Sequence, residues 1–170
     1  ATQAGTVTAN FEVAETTHTI TITNNVNGVT STTTVGETNP VEVTAPNING
    51  YTFTTWKEIP SGVTKTSGNL TDKTIYITAK EDATLTALYE KDPIINFSRE
   101  GEGSITVLVN GSPINSGSSH GKGTKIKFTA TASEGSEFTK WVDGNGNQLS
   151  TANPYDFTLN ADATVKAIFS

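Results

Sequence analysis

The sequence contains no cysteine and no methionine, only two histidines, and aromatic residues at 8% of positions. The lack of cysteine excludes disulfide bonds, a thiolate zinc site and a cysteine nucleophile. It does not identify a compartment, because oxidising surroundings permit disulfides without requiring them. No segment has the charged start and apolar middle of a secretory signal. Since the chain begins at Ala1, we expect a fragment whose signal peptide or anchor has been left out.

Long hydrophobic runs and basic residues are also scarce. No stretch approaches the roughly 20 apolar residues of a membrane helix, so we predict no membrane insertion of this fragment. Lys and Arg number 11 against 17 Asp and Glu, for a net charge of −6. Nucleic acids and anionic membranes are bound through clustered Lys and Arg. The composition therefore predicts neither as a partner.

The main feature that is present is an internal repeat. Residues 41–56 (VEVTAPNINGYTFTTW) and 126–141 (IKFTATASEGSEFTKW) align without a gap. The identical pairs are Thr44/Thr129, Ala45/Ala130, Gly50/Gly135, Phe53/Phe138, Thr54/Thr139 and Trp56/Trp141. Apolar positions keep their character, whereas Glu42 becomes Lys127. Such a pattern predicts two copies of a smaller unit, each with its own core.

A second phrase closes each copy: ATLTALY at 83–89 and ATVKAIF at 163–169, with GTVTANF at 5–11 as a third occurrence. Its period-two alternation predicts a strand with one apolar face. We therefore expect Thr6 to Phe11 to be the last strand of a preceding repeat. The predicted segments are 1–15 (terminal strand), 16–91 (repeat 1) and 92–170 (repeat 2).

All the remaining patterns predict strands, about six in each copy, and none predicts a long helix. Alternating Ile and Thr residues around Asn27-Gly28 predict an opening hairpin in repeat 1. GEGSITVLVNG, at 101–111, predicts the corresponding hairpin in repeat 2. Residues 61–69 and 117–122 are rich in Gly, Ser and Asn and are predicted as loops. The linker Lys91-Asp92-Pro93 is short and stiffened by proline, so we expect a preferred angle between the repeats.

Small domains bury a small share of their surface and depend on large side chains. We predict that the recurring aromatic and alanine positions fill the two cores. These are Phe53, Trp56, Ala87 and Tyr89 in repeat 1, and Phe138, Trp141, Ala167 and Phe169 in repeat 2.

The ordered series G-T-x-I-x-F-T-A, E-G-x-x-F-x-x-W and x-F-T-L-x-x-D-A-T-V-x-A-x-F resembles the divergent branch of the internalin B-repeat superfamily. Repeat 2 matches closely, whereas repeat 1 lacks the Gly-Thr before its third strand and ends in Tyr89. The resemblance implies a modular β-domain of bacterial surface or secreted proteins, with a β-grasp-like core. We therefore expect an all-β chain of two tandem small domains, β-grasp-like or sandwich-like, plus the N-terminal strand.

Asp143, Asn145 and Asn147 are the candidate metal ligands, because their spacing resembles the start of a calcium loop. However, Gln148 and Pro154 stand where that loop needs glycine and glutamate. Asp-Gly and Asn-Gly are also the usual residues of tight hairpin turns. The sequence therefore favours a turn, and we predict no cofactor.

The sequence also indicates no catalytic grouping. His18 and His120 fall at unrelated repeat positions, and no nucleophile with an orienting acid is visible. The recurring acids, Asp82 and Asp162, stand in turns, where Asp commonly bonds its own backbone. We predict a protein that is not an enzyme.

Two tyrosines remain as candidate ligand-binding residues. Tyr51 and Tyr76 do not recur between the copies, so the core does not require them, and exposed aromatic rings stack on sugars. We expect a monomeric stalk or spacer at the cell surface, with or without a part in adhesion. The alternative is a module that uses loop residues and these tyrosines to bind a host or cell-wall glycan or protein.

Overall fold

The computed structural model of the chain describes residues 13–170, and every regular element in this range is a β-strand. The all-β class predicted from the sequence is confirmed. The predicted strand Thr6 to Phe11 lies outside the described residues. Residues 13–170 contain no helix that could span a membrane.

Repeat 1 contains seven strands. They are β1 (Thr17–Asn24), β2 (Ser31–Gly36), β3 (Val41–Thr44), β4 (Tyr51–Trp56), β5 (Val63–Ser67), β6 (Thr74–Ala79) and β7 (Ala83–Lys91). One sheet has the order β2-β1-β7-β4 and the other β3-β6-β5. β1 and β2 form an antiparallel hairpin, whereas β1 and β7 are parallel. Strand β5 lies inside the segment 61–69 that the sequence predicted as a loop.

Repeat 2 contains nine strands, three of them very short. They are β8 (Ile94–Glu100), β9 (Gly103–Val109), β10 (Ser112–Pro113), β11 (Ser118–Ser119), β12 (Thr124–Ala132), β13 (Phe138–Val142), β14 (Gln148–Ser150), β15 (Tyr155–Leu159) and β16 (Ala163–Phe169). The sheet orders are β11-β8-β16-β13-β14 and β10-β9-β12-β15. The first long strand, β8, is again parallel to the last, β16.

The two repeats share five strands but place their edge strands differently. The shared strands are β1-β7-β4 with β3-β6 in repeat 1, and β8-β16-β13 with β12-β15 in repeat 2. The second strand of repeat 1, β2, pairs with β1, whereas its counterpart β9 pairs with β12 in the other sheet. The sequence predicted that β8 and β9 pair as the opening hairpin of repeat 2. That prediction is wrong, because β8 and β9 belong to different sheets.

Each repeat buries its own tryptophan. Trp56 is 1% exposed and Trp141 is fully buried. The indole Nε1–H of Trp56 donates to the carbonyl oxygen of Asp72 at 3.1 Å, and that of Trp141 donates to Ala152 at 3.0 Å. A buried indole N–H needs such an acceptor. Both tryptophans therefore combine apolar filling with an anchor to a loop backbone.

The other positions predicted as core are at least half-buried. Four of them are buried and two are half-buried: Ala87, Tyr89, Ala167 and Phe169 in the first group, Phe53 and Phe138 in the second. In repeat 2 the buried cluster draws on both sheets, with Ile95 and Val165 from one and Ile126 and Leu159 from the other. Because two sheets enclose one core and no helix is present in the described range, this repeat is sandwich-like instead of β-grasp-like.

Contacts divide the chain into two compact units, which differ slightly from the repeats. One unit holds the described residues up to Pro46 together with Phe53–Tyr89, and the other holds Asn47–Thr52 with Glu90–Ser170. Within the second unit the backbone N–H of Asp92 donates to the carbonyl oxygen of Gly50 at 2.9 Å. The hydroxyl of Thr52 donates to the Asp92 carboxylate at 2.6 Å. Hydrogen bonds of both its backbone and its side chain therefore fix the position of Asp92, a residue of the predicted linker.

Glu15, just before β1, holds the turn that follows β2. One carboxylate oxygen accepts hydrogen bonds from the hydroxyl and backbone N–H of Thr38 and from the backbone N–H of Asn39. The other accepts from the Asn39 side chain at 2.8 Å. The Thr38 hydroxyl is the largest of several contacts that together lower the pKa of Glu15 from 4.5 to about 2. These contacts favour the ionised form.

We expect the stability of repeat 1 to fall as the pH drops from about 4.5 to about 2. A depressed carboxyl pKa stabilises the folded state above the unfolded pKa, and this contribution is lost on protonation of the folded state. A carboxyl ¹³C titration by NMR should give Glu15 a midpoint near 2. Glu15→Gln should remove this part of the pH dependence. A midpoint at the ordinary value would contradict the assignment.

Candidate functional site

A shallow depression of about 390 Å³ lies beside the turn between β13 and β14 of repeat 2. It contains two of the acids that the sequence singled out, Asp143 and Asp162. Its lining is Asn96, Asp143, Gly144, Asn145, Leu149, Phe157, Asp162, Ala163 and Thr164. The hydrogen bonds of the two carboxylates show whether either is available to act as an acid, a base or a metal ligand.

The Asp143 carboxylate is occupied by its own turn. Oδ1 accepts the backbone N–H groups of Asn145 and Asn147 at 2.8 and 2.9 Å, and Oδ2 accepts the side-chain amide of Asn147 at 3.0 Å. The Asn147 side chain is the main reason that the pKa of Asp143 is lowered. A general acid needs a raised pKa. Asp143 is therefore suited to closing a turn and not to donating a proton.

The candidate metal ligands Asp143, Asn145 and Asn147 thus lie in one tight turn, where Asn147 faces Asp143 with its donor nitrogen. The backbone also closes this turn, because the N–H of Asp143 donates to the carbonyl oxygen of Asn147 at 2.8 Å. Residues 13–170 contain no group of three or more His, Cys, Asp or Glu side chains placed to hold a metal ion.

Asp82 and Asp162 make the same contact in the two repeats, and it is a long-range one. Asp82 Oδ1 accepts the backbone N–H of Thr19 at 2.7 Å, and Asp162 Oδ1 accepts that of Ile94 at 2.8 Å. Each acid directly precedes the closing strand, and each donor lies at the start of the parallel partner strand. The prediction of a purely local turn role is therefore incomplete, since each Asp joins the first strand of its repeat to the last.

The two histidines occupy different surroundings. Nε2 of His18 lies 3.2 Å from Glu37 Oε1, and Nδ1 lies 3.9 Å from Asp82 Oδ1. The two carboxylates are on opposite nitrogens of the ring, so they cannot share one metal ion with it. His120 Nε2 is within 2.9 Å of the Ser118 hydroxyl. Among the described residues, the hydrogen-bond partners of His120 include no carboxylate, and a triad needs one.

The two candidate tyrosines belong to different compact units. Tyr51 is half-buried at the start of β4, and its backbone N–H closes a turn with Ile48 at 3.1 Å. Tyr76 lies in the middle of β6 with 40% of its surface exposed. Its hydroxyl donates to Glu42 Oε2 at 2.9 Å, and this bond raises the tyrosine pKa. The two loops proposed for binding, 61–69 and 117–122, contain strands β5 and β11.

Sequence reasoning missed two asparagines that extend the sheets with their side chains. The Asn153 amide accepts from the backbone N–H of Ala130 at 2.9 Å and donates to its carbonyl oxygen at 2.7 Å. Asn25 forms the same two bonds with Tyr89, at 2.8 and 3.0 Å. Each side chain thus replaces a neighbouring strand. Asparagine carries both a donor and an acceptor, but its position in the sequence does not reveal the partner.

These contacts define an all-β chain of two repeats, in which the recurring acids and indoles bond to backbone groups. The profile of the divergent InlB B-repeat domain matches residues 18–93 and again residues 95–170. The chain belongs to this family. The resemblance and the two tandem copies predicted from the sequence are confirmed.

Two solved structures are also similar to the chain, both of Streptococcus pyogenes. The major pilin protein T-13, of serotype GAS131465, has 11% identity and a TM-score of 0.37, covering 92% of this chain and 97% of the pilin. The major pilin protein T3.2, of serotype GAS13637, has 12% identity and a TM-score of 0.36, covering 84% of this chain and 73% of the pilin. Scores this low do not establish a shared fold. No curated protein is significantly similar in sequence.

Proposed function

We propose that this chain is an extracellular, non-enzymatic spacer in a bacterial surface protein, and that it carries tension along its length. Membership of the divergent InlB B-repeat family supports a modular role. The acids that a catalytic site would need hold backbone N–H groups instead. A chain of small domains with short linkers extends a surface protein and holds its outermost domain away from the cell.

The observation that carries this proposal is the parallel pairing of the first and last long strands in each repeat. β1 pairs with β7 from Ile20↔Ala83 to Asn24↔Ala87, and β8 pairs with β16 from Ile95↔Ala163 to Glu100↔Ile168. In a parallel pair, the N-terminal end of the first strand and the C-terminal end of the last strand lie at opposite ends of the row of hydrogen bonds that joins them. Tension applied through the chain therefore shears the whole row of hydrogen bonds at once. An antiparallel terminal pair would open one bond at a time.

Side chains reinforce this pairing at its ends. Asp82 and Asp162 add a hydrogen bond immediately before the first paired residues. In repeat 1, the amide of Asn25 adds two more bonds beyond the last ones, to the backbone of Tyr89. A carboxylate acceptor makes a stronger bond than a neutral one. Each Asp should therefore resist the first step of strand separation.

Single-molecule force spectroscopy on the whole chain tests the proposal. We expect two separate unfolding events, each releasing about 250 Å of extended chain. Asp162→Ala should make the unfolding of repeat 2 roughly fivefold faster at a given force. Asp82→Ala should have the same effect on the unfolding of repeat 1. Asp156→Ala is the matched control. Asp156 is an exposed acid on β15, and the sheet of β15 contains neither parallel pair.

The proposal would be overturned by one unfolding event for the whole chain. It would also fail if both events occurred at the low forces of hairpin unzipping and neither Asp variant changed them. Equal responses to Asp162→Ala and Asp156→Ala would show that charge alone, and not the strand contact, sets the unfolding force.

A further inference from the structure

The outer face of the sheet β3-β6-β5 in repeat 1 presents an aromatic ring that the core does not use. Along β6 the side chains of Ile75 and Ile77 are buried, while those of Thr74, Tyr76 and Thr78 face outward. Of the aromatic residues in the described range, Tyr76 is the one that is exposed, at 40%. Because β6 is the central strand, the ring lies in the middle of this face.

Neighbouring strands hold the ring and surround it with polar groups. Glu42 on β3 is the cross-strand partner of Tyr76 and accepts its hydroxyl hydrogen bond at 2.9 Å. Ser67 on β5 is the partner on the other side, at a register shift. The tie to Glu42 limits the motion of the ring, so binding a ligand would immobilise little more of the protein.

The ring borders an open, mostly apolar depression of about 420 Å³, which is lined by Pro40, Thr66, Ser67 and Tyr76. Along the same face, the hydroxyls of Thr44 and Thr74 lie 2.8 Å apart. The face therefore combines one flat apolar surface with several hydroxyls and one carboxylate.

We propose that this face binds the pyranose ring of a neutral carbohydrate, with Tyr76 as the stacking surface and Glu42 as an acceptor for sugar hydroxyls. The C–H face of a sugar packs on an aromatic ring, while its hydroxyls need donors and acceptors at the rim. A protein partner would be expected to meet several large apolar or Arg anchors, whereas threonines surround Tyr76. An anionic sugar is disfavoured by Glu42 and by the acidic excess of residues 1–90, four Lys against nine Asp and Glu.

Repeat 2 supplies an internal control. Lys127 aligns with Glu42, and the cross-strand partner of Lys127 on β15 is Asp156. In repeat 2 the pair Lys127–Asp156 therefore occupies the position of Glu42–Tyr76, and it contains no aromatic ring. We therefore expect the sugar to bind repeat 1 and not repeat 2.

The test is a ¹⁵N NMR titration of the whole chain with neutral trisaccharides of glucose, N-acetylglucosamine, galactose and mannose. We expect at least one trisaccharide to shift amides around Tyr76, including Glu42 and Ser67, with a dissociation constant in the millimolar range. Tyr76→Ala should weaken binding at least tenfold, and Tyr76→Phe should keep it within about threefold because the ring remains. Asp156→Ala should leave binding unchanged.

The spectrum of the Tyr76→Ala variant checks that repeat 1 remains folded, as expected for an outward-facing position. If none of the four sugars shifts these amides at about 10 mM, the proposal is wrong. Binding that survives Tyr76→Ala in a folded protein would also overturn it. So would a proline-rich peptide that shifts the same amides while every sugar fails, since the face would then be a peptide site. These outcomes are independent of the force measurement that tests the spacer role.

Discussion

Replacing Trp141 with alanine is expected to unfold repeat 2 while repeat 1 stays folded. Trp141 is fully buried, with its ring centroid 5.1 Å from Phe138 and 5.5 Å from Phe128. The substitution leaves a large cavity and deprives the Ala152 carbonyl of its indole donor. Replacing a buried tryptophan by alanine costs about 3–5 kcal/mol. Whole domains are stable by only about 5–15 kcal/mol, and a small one lies near the lower end.

The sequence offers a direct readout, because the chain has two tryptophans and each belongs to one repeat. In Trp141→Ala the fluorescence of Trp56 should still report a folded repeat 1 in urea titrations. The NMR amides of repeat 2 should lose their dispersion. Leu149→Ala is the matched control in repeat 2, since Leu149 is 36% exposed, and should change stability by about 0.5 kcal/mol or less.

If Trp141→Ala also shifts the urea midpoint of Trp56 by a comparable free energy, the two repeats unfold as one cooperative body. The assignment of a separate core to each repeat would then be wrong. Trp56→Ala is the converse variant, in which Trp141 reports repeat 2 and should remain unaffected.

The sequence predicted best those parts of the fold that have the same structural role in both copies. Trp56 and Trp141 recur because each fills a core and anchors a loop. The closing strands β7 and β16 recur because each is a central strand, bonded on both sides. A residue with many buried contacts is constrained in every copy, and an internal repeat exposes that constraint without any other sequence.

The edge strands could not be predicted in the same way. β2 and β9 both follow a turn after the first strand, yet they join different sheets. Their alternation fits a strand in either sheet, because period two specifies a buried face and not a neighbour. The difference lies in the turns, where the buried Asn24 side chain accepts the N–H groups of Val26 and Asn27 in repeat 1.

The roles of the polar residues depended on contacts between distant parts of the chain. The Asp82 and Asp162 carboxylates accept from residues 63 and 68 positions away, respectively. Local sequence predicts a local Asp turn and contains no sign of these donors. Likewise, the lack of recurrence placed Tyr51 and Tyr76 together as candidates. Only the burial of each side chain and the bond to Glu42 distinguish the second from the first.

Gly101→Ala is expected to destabilise repeat 2 by about 2–5 kcal/mol, the second large effect. Gly101 lies in the turn that sends the chain from β8 into β9 and has φ of +87°. A Cβ there would stand 2.4 Å from the backbone carbonyl oxygen of Phe169. That oxygen belongs to the central closing strand, so it cannot move aside without disturbing β16. The penalty therefore adds a steric clash to the backbone strain of a left-handed conformation.

Gly111→Ala separates the two contributions. Gly111 has a similar φ of +80°, but nothing lies within 4 Å of the position that its Cβ would occupy. This control should therefore show the strain alone, about 1–2 kcal/mol. Urea denaturation followed through Trp141 measures both variants in the same repeat. Equal losses would mean that the turn moves away from Phe169 at little cost. The close approach of that turn to β16 would then add nothing to the cost of the substitution.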